Sequence, residues 1–154
     1  MADLVANGNL DLRITLQNFK WGITDAILTE IQRRSLGTFF PARDAFQIPL
    51  SSDELSRAQA KHPEITELDL ADQTLVEAAM REYATILTDD GGLFLQCEVI
   101  GIPAFKLPHF CLSLAQNGYL SKTEMYQALR YWKTIHRYSA KSLRDWHRTL
   151  EGIA

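Results

Sequence analysis

Acidic residues at three separate places in the sequence could bind a divalent cation if the fold brought them together. Asp89 and Asp90 close the stretch ILTDDGG, Asp72 opens an alanine-rich stretch, and Glu30 follows the stretch WGIT. Two carboxylates about 4 Å apart repel each other by about 4 kcal/mol at an effective dielectric constant of about 20, so a cation usually neutralises such a cluster. Mg²⁺ and Mn²⁺ take carboxylate and water ligands and can activate the water against a phosphodiester. These residue types therefore favour metal-dependent phosphodiester hydrolysis as a hypothesis.

Each of these acids also has a purely structural interpretation. Asp72 is suited to the first turn of a helix, where a negative charge is stabilising. The stretch TDDGG is typical of a turn between a strand and a helix. Glu30 is compatible with a solvent-facing position on a helix. No single acid decides between the structural and the metal-binding interpretation. The metal-binding interpretation requires the fold to bring the acids close together.

The elements that must position these acids alternate between short apolar strands and amphipathic helices. Strands are predicted at residues 19–23, 45–50, 84–87 and 102–105. Helices are predicted at 25–34, from a capping box at Ser51 and Glu54 to about Lys61, at 71–83 and at 92–101. The alternation indicates the α/β class, with a parallel sheet and helices on both of its faces. Sites in such folds form at the carboxyl ends of strands, which is where Asp89 and Asp90 fall.

The C-terminal part is predicted to be helical throughout. One helix runs over 107–118 to a glycine, a second over 120–138 opens with a capping box at Ser121 and Glu124, and a third covers 139–153. The last two helices interleave basic and aromatic residues, a composition that could bind RNA through charge and stacking. They could equally pack their apolar residues inward and leave the bases in solvent. A DNA-binding helical module is a third possibility, although no recognition helix stands out.

The composition excludes several classes of protein. The chain has 154 residues, a length typical of one domain. It has two isolated cysteines, Cys97 and Cys111, which fit a reducing cytoplasm better than a disulfide scaffold. We expect neither a signal peptide nor a membrane span. The four histidines show no paired spacing, so a zinc site is not expected, and no phosphate-binding loop or dinucleotide motif is present.

Charge is distributed unevenly along the chain. Residues 51–90 contain ten acidic and three basic residues, whereas residues 118–154 contain seven basic and three acidic ones. This asymmetry predicts an acidic central region and a basic tail. The overall formal charge of −3 is too small to indicate a partner by itself.

The order of these motifs resembles the carboxyl half of PIN domains, which are metal-dependent nucleases. The resemblance is carried by LAD, AA, ILTDD and GIP at residues 70–72, 78–79, 86–90 and 101–103. Upstream, GITDAILTEIQ resembles the strand and helix that carry the second acid of the family, which falls on Glu30. The stretch NGNLDL at 7–12 resembles the loop and helix after the first strand, and LPHFCLSLAQNGYLSKTEMYQAL resembles the helical tail of a bacterial subgroup.

The resemblance implies a three-layer α/β/α fold, with a PIN-like core at 1–106 and a helical extension at 107–154 on the same domain. It implies Mg²⁺- or Mn²⁺-dependent cleavage of RNA, as in the toxins of bacterial toxin–antitoxin pairs. Glu30, Asp72 and Asp90 would be the catalytic metal-binding acids, with Asp89 as a further ligand and Thr88 as the hydroxyl beside them. It also suggests an antitoxin-like protein partner, a homodimer and a cytoplasmic location.

The chain departs from the family at its start. PIN domains begin with a strand whose end carries the first acid, but no apolar strand precedes Asp3. Two interpretations follow: the true start lies upstream, or the protein is a degenerate PIN-like member. In the second case the alternative function is non-catalytic binding of RNA or of a protein partner.

Overall fold

The computed structural model describes residues 17–33 and 45–153. The predictions for residues 7–12 and for the helix end at Arg34 lie outside these ranges, and so does Asp3. The chain divides into two compact units. The described part of the first unit is 21–33 and 45–107, and that of the second is 17–20 and 108–153. Each unit is described separately below.

The first unit alternates strands and helices, which confirms a mixed α/β class with short parallel strands. Its elements are β1 (Trp21–Thr24), α1 (Asp25–Arg33), β2 (Ala45–Ile48), α2 (Ser52–Lys61), a 3₁₀ turn (Pro63–Glu67), α3 (Leu70–Glu82), β3 (Ile86–Leu87), α4 (Gly91–Ile100) and β4 (Ala104–Phe105). The predicted capping box at Ser51 and Glu54 is present at the start of α2. All four strands are shorter than the sequence predicts.

The strands form two separate parallel pairs within the described residues, where the sequence predicts one sheet. β1 pairs with β2 so that Thr24 lies opposite Ile48, and β3 pairs with β4 so that Ile86 lies opposite Ala104. The second pair is held by few ladder bonds, among them Ile86 N to Pro103 O at 2.9 Å and Thr88 N to Phe105 O at 3.0 Å. The three-layer α/β/α arrangement stays a prediction.

The core of the first unit lies between α2, α3, α4 and the pair β3–β4. Its buried members are Ala58, Ile65, Val76, Ala79, Ile86, Leu93, Cys97 and Ile102. Burying a large aliphatic side chain contributes roughly 1.5–3 kcal/mol to folding, so this cluster fixes α3 and α4 on the short strands. Both helices carry an acid of the predicted site near their N-termini, and the core therefore fixes those positions.

The second unit is helical, with α5 (Leu107–Gln116) entering it and α6 (Lys122–Thr134) and α7 (Ala140–Glu151) completing it. The predicted capping box at Ser121 and Glu124 opens α6. Gly118 has φ = 75°, the left-handed conformation that ends the preceding segment at a glycine. Trp132 is buried, as expected for an inward-facing helix position, whereas Ile135 is 42% exposed and does not pack inward.

None of the helices in the described ranges combines the length and the apolar character that crossing a membrane requires.

Candidate functional site

Asp72 lies in the first turn of α3, where its neighbour Asp69 caps the helix. The Asp69 side chain accepts a hydrogen bond from the Asp72 backbone N–H at 2.9 Å. An aspartate at this cap position satisfies one of the backbone N–H groups that a helix start leaves unpaired. The cap therefore places two carboxylates within three residues at one end of α3.

The pKa of Asp72 is the clearest electrostatic signal in this region. Partial burial raises the pKa of this carboxyl, and repulsion by Asp69, Asp90 and Glu30 raises it further, to about 6 from an ordinary value of 3.8. These acids come from α1, from the start of α3 and from the start of α4. Since repulsion of this kind is screened over roughly 8–10 Å in salt solution, Glu30 and Asp90 each lie near enough to Asp72 for their charges to act on it.

Asp90 is held by the N-terminus of α4. Its Oδ1 accepts a hydrogen bond from the Leu93 backbone N–H at 2.8 Å. Its own backbone N–H donates to the Thr88 hydroxyl at 3.0 Å. Thr88 therefore fixes the backbone just before the cap. The carboxylate of Asp90 is part of an exposed residue, so it is accessible from solvent.

A chain of buried hydroxyls connects the helix that carries Glu30 to the helix that carries Asp72. The Thr24 and Thr74 hydroxyl oxygens are 2.9 Å apart, and Thr74 donates its proton to the Ala71 carbonyl at 2.7 Å. Because a hydroxyl has only one proton, Thr24 must be the donor to Thr74. The Ile27 backbone N–H donates to the Thr24 oxygen at 3.4 Å, so the chain joins the first turn of α1 to the first turn of α3.

Asp89 has a different environment from its neighbour. Its Oδ1 accepts a hydrogen bond from the Leu107 backbone N–H at 3.1 Å, which ties the end of β3 to the start of α5. The described acids that raise the pKa of Asp72 are Asp69, Asp90 and Glu30, and Asp89 is not among them. The structure thus gives Asp89 a positioning contact at the end of β3, and its role as a further metal ligand stays a prediction.

The donor chemistry of this group fits a hard divalent cation. Glu30, Asp72, Asp90 and Asp69 offer only carboxylate oxygens, the ligands that Mg²⁺ and Mn²⁺ take. Within residues 17–33 and 45–153, however, no three His, Cys, Asp or Glu side chains lie close enough to hold one ion together. The acids share an electrostatic neighbourhood, and cation binding would require their side chains to close on the ion.

Two further residues of this neighbourhood were not predicted. Asp69 belongs to the group, and its signal in the sequence is an aspartate three residues before Asp72, the spacing between a capping side chain and the backbone N–H that donates to it. Cys97 on α4 is fully buried, and burial together with Asp72 raises the pKa of its thiol to about 11. Such a thiol stays protonated and unreactive at neutral pH.

Comparison with known proteins adds no assignment to this geometry. No protein-family model, characterised protein or solved structure matches the chain. The resemblance to PIN domains therefore depends on the motifs in the sequence, and the activity that it implies is a proposal.

Proposed function

We propose that this protein is a PIN-like ribonuclease that hydrolyses RNA phosphodiesters with the help of Mg²⁺ or Mn²⁺. The observation that carries the proposal is the electrostatic convergence of Glu30, Asp72 and Asp90. These residues are far apart in the sequence, at positions 30, 72 and 90. Acids gathered from three helices at a cost in repulsion favour a role that uses their charge.

Glu30, Asp72 and Asp90 would hold the cation in this proposal. A bound Mg²⁺ or Mn²⁺ supplies Lewis-acid activation of water and stabilises charge that develops on a phosphate. Thr88 and the N-terminus of α4 orient Asp90. Because the pKa of Asp72 is about 6 in the protein without metal, binding of the cation must displace a proton from that carboxyl at lower pH.

The wider proposal follows the resemblance. It comprises a three-layer α/β/α domain, a cytoplasmic location and a toxin-like role that an antitoxin-like protein would restrain. None of these is needed for the hydrolytic step, so each can fail without affecting the assignment of the acids.

Cleavage of RNA by purified protein tests the central claim. The experiment follows a fluorescent single-stranded RNA with Mn²⁺, with Mg²⁺ and with EDTA, for the wild type and for Asp90→Asn. Asparagine caps helices about as well as aspartate, so this substitution removes the charge and keeps the start of α4. Asp53→Asn is the matched control, because Asp53 is an exposed acid in the first turn of α2.

We expect metal-dependent cleavage by the wild type and by the control, and a loss of at least about tenfold in Asp90→Asn. Equal cleavage by Asp90→Asn and the wild type would refute the site. RNA binding without any metal-dependent cleavage would instead support the non-catalytic alternative.

A further inference from the structure

The second unit contains an open groove between α6 and α7. The two helices form an antiparallel hairpin, because residues 135–139 connect them at one end and Lys122 Nζ donates to the Ile153 carbonyl at the other. The groove has a volume of about 760 Å³. It is lined by Tyr126, Leu129, Arg130, Lys133, Ala140, Leu143, Arg144, His147, Arg148 and Glu151. It lies wholly within this unit and is independent of the acids described above.

The walls of this groove are strongly basic. Arg130, Lys133, Arg144 and Arg148 are all exposed, and Glu151 is the one acid in the lining. Glu151 already pairs with a neighbour on its own helix, since its Oε1 lies 3.4 Å from His147 Nδ1. Two bases come from each helix, so positive charge faces the groove from both sides.

Within residues 17–33 and 45–153, most of this charge is not used in ion pairs. Arg148 approaches Asp145 at 3.9 Å, but both side chains are more than half exposed, and such pairs contribute little. The side chains of Arg130, Lys133 and Arg144 form no ion pair with any residue in the described ranges. The groove thus concentrates cationic groups in a protein whose formal charge is −3.

Two aromatic rings line the same groove. The rings of Tyr126 and His147 are in contact, with centroids 5.0 Å apart and planes inclined by 50°. The His147 side chain is 51% exposed, so part of this pair faces solvent. The floor between the bases is apolar, since Leu129 is buried and Leu143 is half-buried.

We infer that this groove binds the backbone of single-stranded RNA. Four exposed bases along two walls match a run of phosphates, and the partly exposed pair of rings offers a face on which an unpaired base can stack. An acidic peptide would match the charge but would make no use of the rings. From Tyr126 to Lys133 the groove follows seven residues of helix, about 10 Å, which is the length of about three stacked nucleotides.

The choice of RNA over DNA rests on the proposed function, but binding itself does not. The groove shares no residue with the acids of the candidate site. Binding measured in EDTA therefore tests the groove alone, while cleavage by Asp90→Asn tests the acids alone. The two proposals can fail separately.

The test is fluorescence anisotropy of a labelled 12-nucleotide RNA in EDTA, repeated over a range of salt concentrations. The groove variant combines Arg130→Gln with Arg144→Gln, one change on each helix. The control combines Lys61→Gln on α2 with Lys141→Gln on α7, two exposed bases outside the lining. Both double variants lose two positive charges, so the change in net charge is the same in each.

Each phosphate contact contributes about −0.7 to the slope of log affinity against log salt for single strands. Four contacts give a slope of about −2.8, and the groove variant should lose about half of it. If the wild type and the variant bind equally at 1 M salt, a slope smaller by about 1.4 corresponds to about 25-fold weaker binding by the variant at 0.1 M salt. The control should retain the slope of the wild type, and circular dichroism should show that both variants are folded.

Equal RNA binding by the groove variant and the control would overturn the inference. Binding of a poly-glutamate peptide, but not of RNA, would also overturn it and identify an acidic protein as the ligand class. The last measurement repeats the binding experiment with a DNA strand of the same sequence. Binding of DNA tighter than that of RNA would remove the RNA assignment but keep the groove as a nucleic-acid surface.

Discussion

Replacing Asp72 by asparagine should stabilise the protein, although it removes a residue of the candidate site. The folded protein raises the pKa of this carboxyl from 3.8 to about 6, so it binds the proton more tightly than the unfolded chain does. Between these two values the folded state carries more protons, and the free energy of unfolding therefore falls as the pH rises. Above about pH 6 the ionised Asp72 carboxylate lowers the free energy of unfolding by its full amount. This effect is absent below about pH 4, where Asp72 is protonated in both states.

The size of the effect follows from the shift. A difference of about two pKa units corresponds to about 3 kcal/mol. Asp72 is only partly buried, and solvent screens part of the repulsion, so we expect about 1–3 kcal/mol. Asparagine has nearly the same shape and lacks the charge. It should therefore recover this free energy at neutral pH and recover almost none at pH 4.

Urea unfolding in EDTA at pH 4 and at pH 7.5 measures the difference. Asp53→Asn is again the control, because removal of an ordinary acid from the first turn of a helix should cost up to about 1 kcal/mol. At pH 7.5, Asp72→Asn should thus raise the free energy of unfolding, whereas Asp53→Asn should lower it. Adding Mn²⁺ should then stabilise the wild type, by an amount set by its dissociation constant, and should stabilise Asp72→Asn much less.

A loss of stability in Asp72→Asn at pH 7.5, similar to that of the control, would refute this reasoning. It would mean that neither burial nor the nearby acids Asp69, Asp90 and Glu30 raise the pKa of Asp72 in solution. The electrostatic convergence that carries the proposed function would then be lost as well.

Two further predictions concern stability. Thr74→Val leaves the buried Thr24 hydroxyl without its acceptor and should cost about 1–3 kcal/mol in urea unfolding. Combining it with Thr24→Val removes both partners and should cost clearly less than the sum of the two single changes, so additivity within about 0.5 kcal/mol would count against the chain of hydroxyls. Tyr83→Gly should stabilise by about 0.5–1 kcal/mol, because Tyr83 has φ = 52° at the end of α3 and a side chain 98% exposed. Unchanged or lower stability would show that the left-handed conformation carries no cost there.

The sequence predicts helix starts well because their signals are local. Ser51 with Glu54, and Ser121 with Glu124, form their capping boxes within four residues, whatever the rest of the chain does. Gly101 ends α4 in the left-handed conformation for the same reason. Such signals need no knowledge of tertiary contacts.

Strand lengths were overestimated because helix ends use backbone groups that the strands would need. The Ala84 N–H donates to the Ala79 carbonyl, so the predicted strand at 84–87 cannot begin before the end of α3 is complete. Likewise the Ile102 N–H donates to the Cys97 carbonyl, and Pro103 follows. The apolar pattern indicates burial in these stretches and does not show which hydrogen bonds the backbone makes.

Some residues of the candidate site likewise have a local signal in the sequence, and others do not. Asp72 and Asp90 are predictable, because each begins a helix at a recognisable turn. Asp69 was missed because its spacing to Asp72 indicates only a helix cap. The contact of Asp89 with Leu107, across 18 residues of chain, depends on how β3 packs beside the start of α5. The sequence around Asp89 contains nothing that predicts it.

The caps at Asp69 and Asp90 explain how four acids can share one place in a folded protein. Each of the helices α3 and α4 presents its N-terminus to one of these carboxylates. A helix N-terminus behaves as about half a positive charge, so the two helices together offset about one unit of the negative charge. The backbone thus acts as a fixed internal counterion for Asp69 and Asp90, whereas Glu30 lies away from any helix N-terminus, in the second half of α1. A cation that bound to these acids would need to neutralise only the remaining negative charge.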